Sequence, residues 1–217
     1  MLERISRKER LDLFIAWIAI SLAFAIIFIR DLGRIDPVIA LLFIGVSLVT
    51  VGIGFVAHEM AHKFTAMKYG YWAEFRKDNM MLVVAVALAA LVGVVFAAPG
   101  ATVIYDTGRF GGGITRQQNG KISAAGPVTN LVLCIPFAGL FLYGGISSSL
   151  TGNISTLIGM VGLQVNAMIA AFNMLPISVL DGKKMFEWNK GVFLVLIIAA
   201  FGALLASFSP DIFSNIL

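Results

Sequence analysis

The sequence predicts an all-α integral membrane protein, a polytopic helical bundle of about five to six transmembrane helices with a small membrane-associated β element. Composition is the first observation: 59% of the 217 residues are hydrophobic and 13% are charged, whereas a soluble domain carries roughly 25% charged residues. The second is a set of apolar runs close to the ~20 residues that a helix needs to cross a bilayer. The third is the shortness of the polar connections. We therefore expect one transmembrane domain over residues 1–217 and no separate soluble domain.

Charge and cysteine content exclude other classes of protein. The formal charge is +4, but the basic residues stand in short clusters between apolar runs, where they act as topology determinants. A nucleic-acid partner is therefore not expected. The single cysteine, Cys134, lies within an apolar run and excludes a disulfide framework. The basic segment at residues 1–10 predicts a cytoplasmic N-terminus by the positive-inside rule.

Five apolar runs predict transmembrane spans, and a sixth has two interpretations. The five lie at residues 13–29, 38–67, 122–143, 154–175 and 192–208. The sixth, at residues 80–98, either crosses the membrane or enters and leaves on one side. The β-branched residues at 101–105 that follow it predict a short strand. Residues 69–79, 107–120 and 176–190 are polar and are expected to be connections.

The second span contains an H-E-x-x-H motif formed by His58, Glu59 and His62, and these are the only two histidines of the chain. Residues four apart lie on one face of a helix, so both imidazoles can bind one zinc while the glutamate faces a metal-bound water. A glutamate within a span costs about 2.5–3.5 kcal/mol on insertion scales and indicates function. The alternatives are a glutamate that snorkels to the interface or pairs with Lys63 at i+4, and histidines that only pack or anchor at the interface.

A zinc site needs at least one more protein ligand, and the absence of a third histidine favours a carboxylate. Asp181 is the preferred candidate, because it follows the span at 154–175 and precedes Gly182; Cys134 is a weaker option. Asp181 reaches His58 only if the two spans run in the same direction. That requires the run at 80–98 to be re-entrant or interfacial, since a further crossing would leave Asp181 ~30 Å away. The five-span arrangement also places nearly every basic cluster on the cytoplasmic side.

Three motifs together resemble the site-2 proteases, a family of intramembrane zinc metalloproteases. They are H-E-x-x-H at 58–62, Ala-Gly-Pro-x-x-Asn at 125–130 and Asn-x-x-Pro-x-x-x-Leu-Asp-Gly at 173–182, in the order of the family and within a catalytic core at about 38–184. The chain departs from the family at Ser178-Val179, where prolines are usual, and in the length of the run at 80–98. The resemblance implies one Zn²⁺ per chain, held by His58, His62 and Asp181. It implies Glu59 as the catalytic carboxylate and a short sheet that pairs with unwound substrate.

The expected function is hydrolysis of peptide bonds in transmembrane segments of membrane-protein substrates, as in regulated intramembrane proteolysis, with Glu59 activating a zinc-bound water. Asn130 and Asn173 are amides within spans and could stabilise the substrate or the transition state; the alternative is hydrogen bonding between helices. The expected partners are a transmembrane substrate and the lipid bilayer of the cell membrane, with the site towards the cytoplasm. A non-catalytic scaffold of the same fold and, less favoured, a metal-ion transporter remain alternatives.

Overall fold

The computed structural model describes residues 5–31, 36–95, 99–105, 113–146, 149–177 and 179–209. This part of the chain forms seven helices and a two-stranded sheet: α1 (Arg7–Asp31), α2 (Pro37–Lys68), β1 (Trp72–Lys77), α3 (Asn79–Val92), β2 (Gly100–Tyr105), α4 (Arg116–Ile146), α5 (Leu150–Asn173), α6 (Asp181–Trp188) and α7 (Lys190–Ser207). Ser178, residues 96–98 and residues 107–112 of the predicted connection at 107–120 lie outside the described residues.

Five of these helices, α1, α2, α4, α5 and α7, are long and apolar enough to cross a membrane. The other two described helices are short, with 14 residues in α3 and 8 in α6. The predicted polytopic bundle with a small β element is therefore confirmed. Helix α2 has 32 residues, which makes it about 48 Å long at 1.5 Å per residue. It is longer than the ~30 Å hydrocarbon core of a bilayer.

The apolar run at 80–98 turns back instead of crossing the bundle. The Asp78 side chain caps α3 by accepting hydrogen bonds from the backbone N–H groups of Met80 and Met81, at 2.9 and 3.1 Å. The helix ends at Gly93, which has a φ of 77°, a left-handed conformation that glycine adopts without strain. At Pro99 the chain lies next to Asp78, the residue before α3. The backbone N–H of Asp78 donates a hydrogen bond to the Pro99 carbonyl at 2.8 Å. Both ends lie together, as the five-span prediction requires.

The two strands that flank this turn-back pair with each other. Their antiparallel register runs from Trp72 opposite Tyr105 to Lys77 opposite Gly100. The predicted strand at 101–105 is confirmed and begins one residue earlier. Strand β1 was not predicted, because its charged side chains made residues 69–79 look like a solvated connection. Glu74 is in fact buried in the fold.

A second predicted connection, residues 176–190, is only partly irregular. It contains α6, an amphipathic helix whose apolar content is too low for a hydropathy pattern to detect; Asp181, Gly182 and Met185 are buried and Lys183 is exposed. Its first residue is Asp181. The expected metal ligand therefore lies in the first turn of a short helix that follows the span, and not in a loop.

Helices α2, α4 and α5 form the part of the bundle that positions the site. Helix α4 packs closely on α5 through glycine, since a Cβ added to Gly159 would lie 2.3 Å from the backbone nitrogen of Phe141. Small residues allow such close approach between membrane helices. Helices α2 and α5 run in the same direction and α4 runs opposite to both. The later turns of α2 and α5 therefore meet the first half of α4 at one level.

The topology can be tested by labelling single cysteines in a Cys134→Ala background. The turn-back of α3 places β1 and α6 at one end of the bundle and the α4–α5 connection at the other. Cysteines at Lys77 and Lys183 should react with a membrane-impermeant maleimide from the same side, and a cysteine at Gly145 from the opposite side. We expect Gly145 to label from outside the cell. The parent without cysteine controls for background, and labelling of all three positions from one side would contradict the five-span fold.

Candidate metal centre

The two histidines of α2 point to the same place, as their spacing predicts. His58 and His62 are both buried, and their rings pack edge to face with centroids 4.6 Å apart. Their Nε2 atoms lie 3.0 Å from each other. The side of α2 that carries them faces the first half of α4.

Asp181 completes the group from the start of α6, and all three side chains line one cavity. Its Oδ2 atom lies 3.1 Å from Nε2 of His62 and 3.5 Å from Nε2 of His58. The next residue makes this position possible, because a Cβ added to Gly182 would lie 2.1 Å from the carbonyl oxygen of Met174. Only glycine lets the start of α6 lie so close to the end of α5. The predicted proximity of Asp181 to both histidines is thus what the structure shows.

Both imidazoles are fixed through their outer nitrogens. Nδ1 of His58 lies 2.5 Å from Oδ1 of Asn130, and Nδ1 of His62 lies 2.8 Å from the carbonyl oxygen of Ile122. A carbonyl oxygen can only accept a hydrogen bond, so each Nδ1 carries the proton and donates it. Each Nε2 is then directed at the other and at Asp181, where its lone pair can bind a metal. Outer hydrogen bonds of this kind orient imidazoles for metal binding.

The geometry of these three atoms fits a metal ion. Three acceptor atoms at 3.0–3.5 Å from one another repel each other unless positive charge lies between them. Tetrahedral zinc with bonds of about 2.0–2.1 Å places its ligand atoms about 3.3 Å apart. Within the described residues, His58, His62 and Asp181 are the one group of three His, Cys, Asp or Glu side chains close enough to hold a metal. Cys134 is not part of it.

Electrostatics favour the ionised form of Asp181. Burial on its own would raise the pKa of this carboxyl, but positive charge on His62 and hydrogen bonds from both histidines outweigh it, and the pKa lies well below its usual range. A proton can supply that positive charge when the metal is absent, and a metal cation supplies it when bound. The carboxylate is available as a ligand in either case.

Glycine at position 126 leaves room for the ion. A Cβ added there would lie 2.4 Å from Nε2 of His62 and 2.6 Å from Nε2 of His58, in the space that the two ligand atoms face. Pro127 follows within the same helix and removes one backbone N–H, an interruption that membrane helices tolerate when neighbouring groups compensate. The sequence showed Gly126 as part of the motif at 125–130 but not that it lies against both ligand nitrogens.

The buried amides lie in two different places. Asn130 is fully buried, and besides its contact with His58 its Nδ2 donates to the Gly54 carbonyl at 3.1 Å and to Oδ1 of Asn166 at 2.9 Å. It lies behind His58 and is not among the residues that line the cavity. Asn173 does line the cavity, and its Nδ2 donates to the Ile169 carbonyl.

Glu59 lies in the same cavity and is free of Lys63. Lys63 instead binds Glu9 of α1 at 2.6 Å, so the i+4 ion pair does not form. Glu59 is buried, and its Oε2 accepts a hydrogen bond of 2.8 Å from the hydroxyl of Thr102 on β2. The cavity measures about 70 Å³. Its lining combines the three ligands and Glu59 with β2, the first turns of α4, the end of α5 and the start of α6.

The role of the glycine at 126 can be tested with two identical substitutions in one helix. Gly126→Ala places a methyl group in the ligand space, so zinc content should fall well below one per chain, or zinc affinity should drop by roughly ten- to a hundredfold, as for other changes to the surroundings of metal ligands. Gly139→Ala is the control, because a Cβ there meets nothing within 4 Å, and it should bind like the wild type. Both are measured by metal analysis and zinc titration of detergent-purified protein. Equal zinc binding by the two variants would contradict this placement of the metal.

Comparison with known proteins identifies the family. A protein of Methanocaldococcus jannaschii named "putative zinc metalloprotease" is 35% identical to this chain over 202 residues, which cover 93% of this chain and 95% of that protein. No model of a protein family matches the chain, and no solved structure matches it. An identity of this size over nearly the whole of both chains shows that this protein belongs to the same family as that protein named "putative zinc metalloprotease".

Proposed function

We propose that the protein is an intramembrane zinc endopeptidase of the site-2 protease type, which hydrolyses peptide bonds in transmembrane segments of membrane-protein substrates. One observation carries the proposal: Glu59 and the three residues that fit zinc line a single cavity, and that cavity is built on a helix long and apolar enough to cross a membrane. Substrates that reach such a site are themselves membrane segments. The basic clusters favour a site on the cytoplasmic side, with the N-terminus on the same side.

In this proposal His58, His62 and Asp181 hold the zinc, which when bound supplies a Lewis acid that activates water and polarises the scissile carbonyl. Glu59 accepts a proton from the attacking water and passes it to the leaving amine nitrogen. The hydroxyl of Thr102 holds Oε2 of Glu59, which leaves Oε1 to receive that proton. The position of the base is therefore set by β2.

The cavity also limits the form in which a substrate can bind. At about 70 Å³ it cannot admit an intact helix, which is about 10–12 Å across. Among the described strands β2 pairs only with β1, and its other edge is open to an extended peptide. Pairing of an unwound segment with this edge, by β-augmentation, would bring a substrate carbonyl next to Glu59 through the position of Thr102.

The two predicted asparagines are proposed to act differently. Asn173 lines the cavity, where its amide can contact the substrate backbone or the oxygen that gains negative charge in the transition state. Asn130 is held by His58, Gly54 and Asn166, and these contacts support a role in orienting His58. A direct contact of Asn130 with substrate stays a prediction that its position does not support.

The rival functions have less support. A non-catalytic scaffold would need neither the acidic side chain of Glu59 in the cavity nor a group that fits zinc. A transporter needs further ion sites along a path, and the described part of the chain contains one group of His, Cys, Asp and Glu with metal-binding geometry.

Replacement of the proposed base tests this function. Glu59→Gln keeps the shape of the side chain but cannot accept the proton, so cleavage of a tagged single-span substrate in detergent should fall by about 10²- to 10⁴-fold. Zinc content should remain one per chain, because Glu59 is not a ligand. Glu187→Gln removes an exposed carboxylate of α6 and should cleave normally. Cleavage by Glu59→Gln at the wild-type rate would refute the mechanism, and lack of cleavage by zinc-loaded wild-type protein would refute the function.

A further inference from the structure

A buried ion pair that the proposed chemistry does not use joins α1, α2 and the sheet. Nζ of Lys63 lies 2.6 Å from Oε2 of Glu9, and both side chains have 0% exposure. Nζ of Lys63 also donates to the carbonyl of Ala73 at 2.7 Å. Oε1 of Glu9 accepts from the N–H of Phe75 at 3.1 Å. The pair therefore makes two hydrogen bonds to the backbone of β1.

These two bonds lie on one edge of the strand. In an antiparallel ladder, alternate residues direct their N–H and C=O groups to the same side. The backbone N–H and C=O groups of Ala73 and Phe75 therefore both point away from β2. The ion pair takes the place of a third strand there. It satisfies backbone groups that would be costly to bury unpaired, and it closes this edge of the sheet. The opposite edge, on β2, pairs with no other strand in the described part of the chain.

The pair also ties the sheet to the metal-binding turn of α2. Lys63 directly follows His62, and Glu59 lies one turn earlier in the same helix. Strand β1 is attached to this turn through Lys63, and β2 is attached through the bond from Thr102 to Glu59. A sheet of two strands has little stability of its own. Its position relative to the metal-binding residues therefore depends on these attachments.

We propose that Glu9 and Lys63 are positioning residues, which set the register of the open β2 edge against the metal and Glu59 and thereby determine which substrate bond is cut. This inference rests on the proposed function. A purely stabilising role is the competing explanation. The two differ because buried ion pairs add little net stability over an uncharged replacement of similar size, whereas removal of one partner leaves a buried charge and is destabilising.

The variants Lys63→Met and Glu9→Gln/Lys63→Met separate the two explanations. Lys63→Met loses the bond to Ala73 and leaves Glu9 unpaired. This variant should be less stable and should also cleave the substrate at bonds other than the wild-type one. The double variant removes the unpaired charge and should recover thermal stability and zinc content. It still lacks the bond to Ala73, so the sheet remains loosely attached. Lys68→Met, which removes an exposed lysine of the same helix, is the matched control and should behave like the wild type.

The decisive measurement is mass spectrometry of the products from a single-span substrate, together with kcat/KM. For the double variant we expect cleavage spread over neighbouring bonds and a kcat/KM lower by roughly ten- to a hundredfold, since displacements on the order of 1 Å have effects of that size. Cleavage by the double variant at the wild-type bond with unchanged kcat/KM would overturn the inference.

Amide hydrogen exchange gives a second measurement that needs no activity. Residues 72–77 should exchange faster in the double variant than in the wild type and in Lys68→Met, and equal rates in all three would also overturn the inference. If zinc-loaded wild-type protein cut no substrate, the proposed function would fail, and with it the role in choosing the bond. The exchange rates would still show whether the pair holds the sheet.

Discussion

The convergence of three acceptor atoms on one point is the constraint on which this structure depends. Nε2 of His58, Nε2 of His62 and Oδ2 of Asp181 lie at 3.0–3.5 Å from one another, an arrangement that is unfavourable without a cation and favourable with one. To bring them together, α2 and α5 must run in the same direction and the intervening apolar run must turn back. Gly182 lets Asp181 lie close to the end of α5, and Gly126 leaves space next to the two histidine nitrogens. The metal centre thus explains the topology as well as the local packing.

Polar groups in this apolar bundle are arranged in support of that centre. Unpaired polar groups are costly within a membrane, yet Asn130 and Asn166 are fully buried. Both are hydrogen-bonded, and the chain of bonds ends at His58. In the same turns of α2, Lys63 closes one edge of the sheet together with Glu9, while Glu59 binds Thr102 of the other strand. Helix α2 therefore carries the ligands and also fixes the strand on which we propose that substrate binds.

Much of the fold could be predicted because the sequence patterns that indicate it are either long apolar runs or short motifs. Apolar runs of transmembrane length reveal the spans, and H-E-x-x-H reveals two ligands within five residues. Asp181 was preferred because it follows a span and precedes Gly182, and the requirement that it reach His58 predicted that residues 80–98 do not cross the membrane. Long-range polar contacts could not be predicted. Glu9 and Lys63 are 54 residues apart, and the sequence around either residue does not indicate which residue it pairs with. Strand β1 and helix α6 were missed because their charged residues resemble solvated loops, whereas Glu74 and Asp181 are buried by contacts that only the fold creates.

X-ray absorption at the zinc edge tests the central claim most directly, because it reports the atoms bound to the metal in the intact protein. The structure predicts one zinc per chain with nitrogen and oxygen neighbours at about 2.0–2.1 Å and the outer-shell scattering of two imidazoles. Asp181→Ala should change the light-atom shell and keep both imidazole signals, or lose the metal altogether. A sulfur neighbour at about 2.3 Å, or a spectrum that the loss of Asp181 leaves unchanged, would contradict a centre formed by His58, His62 and Asp181.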